Sequence, residues 1–492
     1  MSTPSATTQG RLTKNALGAP GIVFLVLAAV APLTAMIVIA PLGIALGNGG
    51  GMPGSFLFAA IVLLLFAVGY ARMSRHVVNA GAFYAYVTRA MGRTAGLVTA
   101  FVALVGYNSF VTGAVVVSGV FTGAVVGDVL HVDLPWQLWS AASVLAVLIL
   151  GRRGVGVSAK VLGVSLILET LILVVLDVSI LFTEGFDLTA FDPGIVLGAG
   201  AGLGFLFAFN AFLGFEATAI FAEEAREPHR TIPRATYAAI AIIGLFYTIT
   251  TLAVVSSLGV AKSGAAAQAD TAGLLFAVSH QHLGGFLTDV MQMLLVVSLF
   301  AALLALHNSA TRYIFAMGRA RVLPEVLGRT HHRMGSPHVA SAVQMGLSAT
   351  LVAAFVAVGA DPILVTVPTM TGFGTLGIIA LQAAAAVAVV VFFRKRRDRR
   401  YLSTLVAPAL GGAGLIVAFV MAVANFSTIA GSDSPVITRL PWLLLATVIA
   451  AVAVAGYLRR RRPEIYDKLG SDFVTGDERP NLDQASAVNA LE

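Results

Sequence analysis

Residues 194–236 read GIVLGAGAGLGFLFAFNAFLGFEATAIFAEEAREPHRTIPRAT, and this stretch decides how the rest of the chain is interpreted. Its first part, Gly194 to Ala222, is apolar and exceeds the roughly 20 residues that a helix needs to cross a bilayer. Its middle contains an amide and a carboxylate, Asn210 and Glu216, with a glycine between them. Its end, 223–234, is charged and contains two prolines. A membrane helix interrupted at its centre indicates a binding site, because its unpaired backbone groups are available to a ligand.

The composition is typical of a protein embedded in a membrane. Of the 492 residues, 58% are hydrophobic and only 11% are charged, whereas soluble domains contain about 25% charged residues. The chain has no cysteine, which excludes disulfide bonds, thiolate metal sites and cysteine nucleophiles. Residues 1–20 are polar and lack a signal-peptide pattern, so we expect the first apolar segment to be retained as a membrane span.

Twelve apolar segments follow one another along the chain. They lie at about 19–47, 54–72, 94–127, 135–151, 156–183, 194–222, 232–259, 286–317, 338–359, 363–393, 402–428 and 438–458. The sequence therefore predicts an all-α membrane protein with twelve transmembrane helices in a transporter domain at 18–460. It also predicts a cytoplasmic N-terminal tail at 1–17 and a flexible cytoplasmic C-terminal tail at 461–492, where the chain becomes polar.

The positive charges indicate the orientation in the membrane. With both termini cytoplasmic, 29 of the 31 lysines and arginines lie on the cytoplasmic side, and only Lys262 and Arg439 lie outside. This is a strong positive-inside pattern. It explains the net charge of +7 without nucleic acid, because basic loops face the anionic lipid leaflet. We expect a multi-pass plasma-membrane protein whose surroundings are the lipid bilayer.

The longest segments recur at a spacing that suggests an internal repeat. Four segments are longer than one upright transmembrane helix requires: the first, third, sixth and eighth. The first and sixth are five segments apart, and so are the third and eighth. Because five is odd, equivalent segments would cross the membrane in opposite directions, which is a five-plus-five inverted repeat. We predict repeat one at about 18–183, repeat two at about 194–393 and two extra C-terminal helices at about 402–458.

The first segment contains a break of its own. Pro32 has no N–H and removes one helical hydrogen bond, and Thr34 follows two residues later. Taken alone, Pro32 is consistent with a simple kink. Paired with the break in the sixth segment, it predicts two discontinuous helices that face each other near the middle of the membrane. Their free N–H groups attract a carboxylate, and their free carbonyl groups attract an ammonium group or another cation.

Three stretches resemble the amino acid–polyamine–organocation permeases. One resembles the sixth-helix signature of that family and consists of Gly214-Phe215-Glu216, Glu223-Glu224, Pro228, Arg230, Ile232-Pro233 and Ala235. Residues 79–86 are similar to its first cytoplasmic loop. The end of its eighth helix and the following loop are similar to Asn308-Ser309-Ala310, Arg312 and Leu323-Pro324. The resemblance covers about residues 15–460. It implies a leucine-transporter-type fold and secondary transport of amino acids or amines.

The two breaks and the resemblance predict the substrate-binding residues. They are Pro32, Leu33, Thr34, Ala35, Met36, Asn108, Phe209, Asn210, Ala211 and Phe212. We expect the substrate carboxylate at the N–H groups of Thr34 to Met36 and the amine at carbonyl groups near Pro32 and Phe209 to Phe212. Asn210 stands where many family members have an aromatic residue, so it is expected to affect specificity. Each of the two amides could instead join helices to one another.

Two carboxyl groups inside the apolar segments are predicted to couple protons or to gate. Glu169 lies at the centre of the fifth segment, where an ionised carboxylate costs several kcal/mol. A number of proton-coupled members of the family that this chain resembles have a lysine at the matching position. The resemblance implies gating or protonation at Glu216. The alternatives are a neutral hydrogen-bonded carboxyl for Glu169 and a helix cap for Glu216. We expect Asp177 to be solvated near the outer interface, and His307 to form structural hydrogen bonds.

The sequence thus predicts a permease that imports an amino acid, coupled to protons, by alternating access. The alternatives are an amine or polyamine permease, an antiporter, a channel and a membrane-embedded enzyme. An enzyme is disfavoured because the titratable groups of the spans are scattered over three helices; they are Glu169, Asp177, Glu216, Asp289 and His307. No metal or other cofactor is expected, since the histidines near residue 331 lack a ligand spacing. The transported amino acid, the coupling ion and the oligomeric state stay open.

Overall fold

The computed structural model describes residues 18–78, 83–152, 155–216, 218, 225–331, 335–430, 434–469 and 474–475, and most of them are helical. The longer helices are α1 Ala19–Val30, α2 Pro32–Leu46, α3 Met52–Met73, α4 Phe83–Met91, α5 Arg93–Leu130, α6 Trp136–Arg152, α7 Val155–Thr183, α8 Ala201–Ala211, α9 Pro228–Leu258, α10 Ser263–Ala269, α11 Leu274–Arg319, α12 His338–Ala357, α13 Val367–Lys395, α14 Ala407–Ala424, α15 Pro441–Arg461 and α16 Pro463–Lys468.

Shorter elements connect these helices. Single helical turns lie at Gly49–Gly51, Leu188–Phe191, Pro193–Val196, Glu325–Gly328, Phe426–Ala430 and Pro435–Thr438. π-helical turns lie at Ala35–Ile39 within α2, at Pro362–Thr366 before α13 and at Leu402–Val406 before α14. Two strands of two residues each, β1 Val77–Val78 and β2 Val474–Thr475, pair antiparallel.

Nine helices in the described part of the chain are long and apolar enough to cross a membrane, by length and composition. They are α3, α5, α7, α9, α11, α12, α13, α14 and α15. Helices α2, α6 and α8 are apolar but shorter. Large apolar side chains such as Phe182, Phe286 and Trp442 are exposed, which suits a surface covered by lipid. The prediction of a helical multi-pass membrane protein is confirmed.

The centre of the molecule is built around α3, α5, α9 and α13. Helix α13 packs closely against α5, because glycines meet where the two helices touch. A Cβ atom added to Gly377 would lie 2.8 Å from the Cα atom of Gly106. Small residues at such a crossing let two membrane helices approach until their backbones touch. Helices α12 and α15 lie at the periphery and bury the smallest share of their surface among the nine candidate spans.

The third and eighth apolar segments are long in the structure as well. Helix α5 contains 38 residues, and α11 contains 46 residues. The latter is interrupted at Gly284, whose φ of 78° and ψ of 176° are not helical. Glycine adopts a positive φ at little cost because it has no Cβ atom. Helix α11 therefore begins earlier than the apolar segment, since the residues from Leu274 join it across this kink.

The beginning of the C-terminal tail packs against the transporter. Leu469, just after α16, is buried in one apolar cluster with Leu97 of α5. Arg93, the first residue of α5, donates a hydrogen bond to the Asp467 carboxylate at 2.8 Å. Within the tail at 461–492, which the sequence predicts to be flexible, α16 is therefore a docked helix. Apart from β2, the chain beyond Leu469 lies outside the described residues.

Candidate functional site

The first apolar segment is broken at the position that the sequence predicts. Helix α1 ends at Val30, and Ala31 has the left-handed values φ 48° and ψ 78°. Pro32 then begins α2, where its missing N–H costs nothing because a first helical residue has no partner for it. The N–H of Ala35 bonds to the carbonyl oxygen of Ala31 at 3.0 Å. The free N–H groups of this break are therefore those at the very start of α2.

The sixth segment is broken as well. Helix α8 ends at Ala211, and the residues from Phe212 to Glu216 form turns. Gly214 has a φ of 118°, which side chains with a Cβ atom rarely adopt. The turn is closed by short-range bonds, including Leu213 N–H to the carbonyl oxygen of Asn210 at 3.0 Å. The residues that follow, 217 and 219–224, lie outside the described residues.

The two broken segments contact one another. Helix α8 contacts α2, including its π-helical turn. Tyr247 of α9 touches both: its hydroxyl group donates to the carbonyl oxygen of Val30 at 3.4 Å, and its ring meets the ring of Phe212 edge-on with centroids 5.9 Å apart. One side chain therefore bridges the end of α1 and the end of α8. The expectation that the two discontinuous segments face each other agrees with this arrangement.

Glu169 of α7 lies beside the first break. Its Oε1 accepts a hydrogen bond from Ser165 at 2.5 Å, and its Oε2 accepts one from Ser298 of α11 at 2.7 Å. The backbone N–H of Leu33 lies beside this carboxyl group. Thr34 donates to the Ser298 hydroxyl at 3.0 Å. A titratable group that is only 2% exposed is thus joined to the start of α2. The arrangement suits both the proton-coupling and the structural role considered from the sequence.

Glu216 occupies the end of the second break and is fully buried. Its Oε1 accepts a hydrogen bond from the Tyr107 hydroxyl at 2.7 Å, and its Oε2 accepts one from the N–H of Gly214 at 3.0 Å. Tyr70 of α3 donates to the main-chain oxygen of Glu216 at 3.2 Å. The carboxyl group therefore fastens the turn after α8 to α5. Glu169 and Glu216 have different hydrogen-bond partners throughout, so they belong to two separate networks.

The two amides make different contacts. Asn210 donates from Nδ2 to Thr375 Oγ1 of α13 at 2.7 Å. Asn108 donates to the carbonyl oxygen of Leu104 in its own helix at 2.6 Å, and its Oδ1 is buried without a hydrogen-bond partner among the described residues. Asn210 thus links the break after α8 to α13, while the Asn108 amide turns back onto α5.

The ten predicted substrate residues divide by exposure. Thr34 and Asn210 are half-buried, one at each break. The other eight are buried; they are Pro32, Leu33, Ala35, Met36, Asn108, Phe209, Ala211 and Phe212. In this conformation, Thr34 and Asn210 are therefore the two of the set whose side chains remain accessible. The role of all ten as substrate ligands stays a prediction.

The prediction that Asp177 is solvated near the outer interface is wrong. Its side chain is only 6% exposed. Its Oδ2 accepts a hydrogen bond from Thr250 of α9 at 2.7 Å, and its Oδ1 is buried with no partner in the described part of the chain. The cause is α9, which packs against α7 and covers this face. Hydropathy along one segment contains no information about such a neighbour.

The sequence analysis did not identify three residues that complete these networks. They are Tyr107, Ser298 and Thr375. The only local signal was a hydroxyl group inside an apolar helix, and such groups are common because they can bond to the preceding helical turn. His307 forms the structural hydrogen bonds expected of it: Nδ1 lies 2.5 Å from Gln344 and Nε2 lies 2.9 Å from Ser341, both on α12.

Metal binding finds no support in the described residues. They contain no group of three or more histidines, cysteines, aspartates or glutamates that could hold a metal ion. The rings of His331 and His338 meet edge to face, with centroids 5.4 Å apart. His332, the remaining histidine of that loop, lies outside the described residues. The site is therefore built from two helix breaks, two carboxyl groups and the hydroxyl and amide groups that surround them.

Comparison with known families identifies the kind of protein that has this arrangement. Residues 21–465 match the family described as Amino acid permease. The chain belongs to that family. The permease is therefore a membrane transporter of the amino acid type and not an enzyme. The match includes both helix breaks, Glu169 and Glu216, and it agrees with the resemblance noted from the sequence.

Three relatives illustrate the range of the family. The permease is 24% identical over 470 residues to the branched-chain amino acid permease BcaP of Bacillus subtilis, an alignment that covers 90% of this chain and 94% of that protein. It is 24% identical over 378 residues to the methylthioribose transporter of the same organism, with 72% of this chain and 76% of that protein covered. A second BcaP, from Lactococcus lactis, is 23% identical over 309 residues, covering 58% of this chain and 64% of that protein.

Proposed function

We propose that the permease imports an amino acid across the plasma membrane together with protons. The observation that carries the proposal is the chain of hydrogen bonds from Thr34 through Ser298 to Glu169, because it joins a titratable group to the helix start at which a substrate carboxylate would bind. Two negative charges about 4 Å apart repel each other by roughly 4 kcal/mol at an effective dielectric constant of 20. A protonated Glu169 therefore favours carboxylate binding, and the proton and the substrate are carried together.

The substrate would bind between the two breaks. Its carboxylate would lie at the N–H groups at the start of α2, near Thr34, where the helix dipole favours an anion. Its ammonium group would meet carbonyl groups near Pro32 and after α8. Asn210 and the rings of Phe209 and Phe212 would contact its side chain, with Asn108 as a further lining residue. Glu216 would act from the other side of the α8 break, as a gate or a second site of protonation.

The proposal extends to the architecture. Twelve transmembrane helices would form a leucine-transporter-type fold, with inverted repeats at about 18–183 and 194–393 and two extra helices at about 402–458. Supporting observations are the breaks in the first and sixth segments and the lengths of α5 and α11. Transport would proceed by alternating access, in which a bundle containing α1, α2 and α8 rocks against the remaining helices.

The positive-inside pattern supports the orientation. Both termini would be cytoplasmic, and the loops rich in arginine would face the inner leaflet. Residues 1–17 and 461–492 would form cytoplasmic tails, with α16 docked at the cytoplasmic ends of α5 and α15. Arg93 and Asp467, which pair at 2.8 Å, would then lie on the cytoplasmic face.

Uptake by purified protein in proteoliposomes tests the proposal. A panel of labelled amino acids, amines, polyamines and methylthioribose would be offered with and without an inward proton gradient. We expect at least one amino acid to be accumulated, and the gradient to increase its accumulation. Accumulation of an amine or polyamine, with no accumulation of any amino acid, would favour the alternative of an amine or polyamine permease. Exchange that requires substrate on both sides of the membrane and does not depend on the proton gradient would favour an antiporter.

A further inference from the structure

The hydrogen bonds of Thr375 determine which way the Asn210 amide points. Thr375 Oγ1 lies 2.7 Å from the main-chain oxygen of Thr371, one helical turn earlier in α13. It lies 2.7 Å from Nδ2 of Asn210. A hydroxyl group has a single proton to donate and lone pairs with which to accept. Because the carbonyl oxygen of Thr371 can only accept, the Thr375 proton is committed to it.

The orientation of the Asn210 amide follows from the hydrogen bond that Thr375 donates to Thr371. Towards Asn210, the Thr375 hydroxyl can act only as an acceptor, so the amide must present its NH2 group there. The nitrogen and oxygen of a side-chain amide are distinguished by such networks rather than by shape. The Oδ1 atom of Asn210 therefore points away from α13. Exchanging the two ends of the amide would bring Oδ1 against a hydroxyl oxygen whose proton is already used.

The Asn210 oxygen has no protein partner in the described part of the chain, and it is not one of the fully buried unpaired atoms. Asn210 is half-buried although its neighbours Phe209 and Ala211 are buried. An accessible acceptor therefore lies at the end of α8, at the break where a substrate would bind. An acceptor removed from water without a donor is costly, so a ligand that covers it must supply one.

We propose that Thr375 is a positioning residue for specificity and that the permease prefers amino acids whose side chains donate a hydrogen bond. The inference rests on the proposed function and deepens it. Thr375 holds the Asn210 amide with Oδ1 towards the substrate side chain. A side chain bearing a hydroxyl or amide donor satisfies this oxygen, and an apolar side chain of the same shape leaves it unpaired. Sites built to bond a polar group discriminate strongly against the analogue that lacks it.

Threonine and valine provide the direct test, because they have the same shape and differ by one hydroxyl group. Uptake of each labelled amino acid into proteoliposomes gives kcat/KM for the wild-type protein and for variants. We expect the wild-type permease to prefer threonine to valine by about tenfold. Thr375→Val removes the acceptor that holds the amide, so the preference should fall to near unity. Thr375→Ser keeps the hydroxyl group and should keep the preference.

Thr371→Val is the matched control. It removes a hydroxyl group from the same helix, one turn away, and leaves the carbonyl oxygen that Thr375 uses. Its threonine preference should equal that of the wild-type protein. A second readout is the rise in melting temperature that each amino acid causes in detergent, since a ligand stabilises the folded protein according to its affinity. This readout needs no reconstitution, and it also detects a variant that has failed to fold.

The outcomes separate this inference from the proposed function. Equal transport of threonine and valine by the wild-type protein would overturn the inference and leave amino acid transport standing. The inference would also be overturned if the threonine preference survived in Thr375→Val, or if Thr371→Val lost the preference to the same extent as Thr375→Val. Loss of the preference in both Thr375→Val and Thr375→Ser would show that Thr375 has a packing role, and this result would also overturn the inference. Failure to transport or bind any amino acid would overturn the proposed function itself.

Discussion

The Glu169 carboxyl group lies beside the backbone N–H of Leu33, so a carboxyl group from α7 occupies the start of α2. The helix break created by Pro32 is therefore partly satisfied within the protein before any substrate arrives. An anionic Glu169 competes with a substrate carboxylate for the N–H groups of this helix start. A protonated Glu169 accepts hydrogen bonds more weakly and has no charge to repel the substrate. Under the proposed function, this contact would make the affinity for substrate dependent on a proton.

The hydrogen bond between Tyr107 and Glu216 should stabilise the fold. Tyr107→Phe removes the hydroxyl group that donates to Glu216 at 2.7 Å, and the fully buried carboxyl group then lacks its side-chain donor. We expect the free energy of unfolding to fall by about 1–3 kcal/mol, which lowers the melting temperature in detergent.

Tyr313→Phe is the control for that variant. Its ring stacks on Tyr107 with centroids 5.2 Å apart, but its hydroxyl group is buried without a partner among the described residues. Removing an unpaired hydroxyl should leave the melting temperature unchanged or raise it. Equal destabilisation by the two substitutions would show that the Tyr107–Glu216 bond contributes nothing specific.

The first break should tolerate a glycine better than the helix that follows it. Ala31 has a φ of 48°, a conformation that costs a residue with a Cβ atom about 1–2 kcal/mol. Ala35 has a helical φ of −61°, where glycine is less favourable than alanine by about 1 kcal/mol. Both alanines are almost fully buried, so each substitution by glycine removes one buried methyl group.

The difference in the free energy of unfolding between these two variants therefore reports the backbone conformation alone. We expect Ala31→Gly to be more stable than Ala35→Gly by roughly 2 kcal/mol, measured as chemical or thermal unfolding in the same detergent. If Ala35→Gly is the more stable of the two, the left-handed break at Ala31 is not the native conformation.

Helices α2 and α8 approach each other through glycines. A Cβ atom on Gly47 would lie 2.8 Å from the Cα atom of Gly204, which requires the two segments to separate. Gly47→Ala should therefore lower both stability and transport. The matched change is Gly346→Ala in α12, where an added Cβ atom meets nothing within 4 Å. This change should raise helix stability by up to about 1 kcal/mol. A Gly47→Ala variant as stable and active as Gly346→Ala would contradict the close approach.

The breaks and the helices could be predicted from the sequence because their causes are local. A proline without an N–H, a glycine with a positive φ and a run of apolar residues act on the backbone where they stand. Pro32 and Gly214 therefore indicated the two interruptions. Hydropathy indicated most of the apolar helices to within a few residues; the exceptions are the sixth segment, where α8 spans only Ala201–Ala211, and the kinked start of α11.

The partners of the site residues could not be predicted, because they come from distant parts of the chain. Ser298 lies 129 residues from Glu169, and Thr375 lies 165 residues from Asn210. Their meeting depends on how α11 and α13 pack, which no single segment encodes. Asp177 shows the same limit: its own segment gave no sign that α9 would cover it.

In the proposed function, Glu169 couples substrate movement to protons. Glu169→Gln introduces an amide of the same shape, whose oxygen can still accept the hydrogen bond from Ser298, but which cannot bind and release a proton. Glu184→Gln is the control, since Glu184 follows the C-terminal end of α7 and its side chain is 33% exposed. Both variants would be reconstituted and tested for exchange of labelled substrate and for net accumulation under an imposed inward proton gradient.

Net accumulation in these proteoliposomes is the most direct test. We predict that the wild-type protein and Glu184→Gln accumulate substrate above its external concentration, whereas Glu169→Gln exchanges substrate at a comparable rate but does not accumulate it. Accumulation by Glu169→Gln to the wild-type level would contradict the coupling role of Glu169.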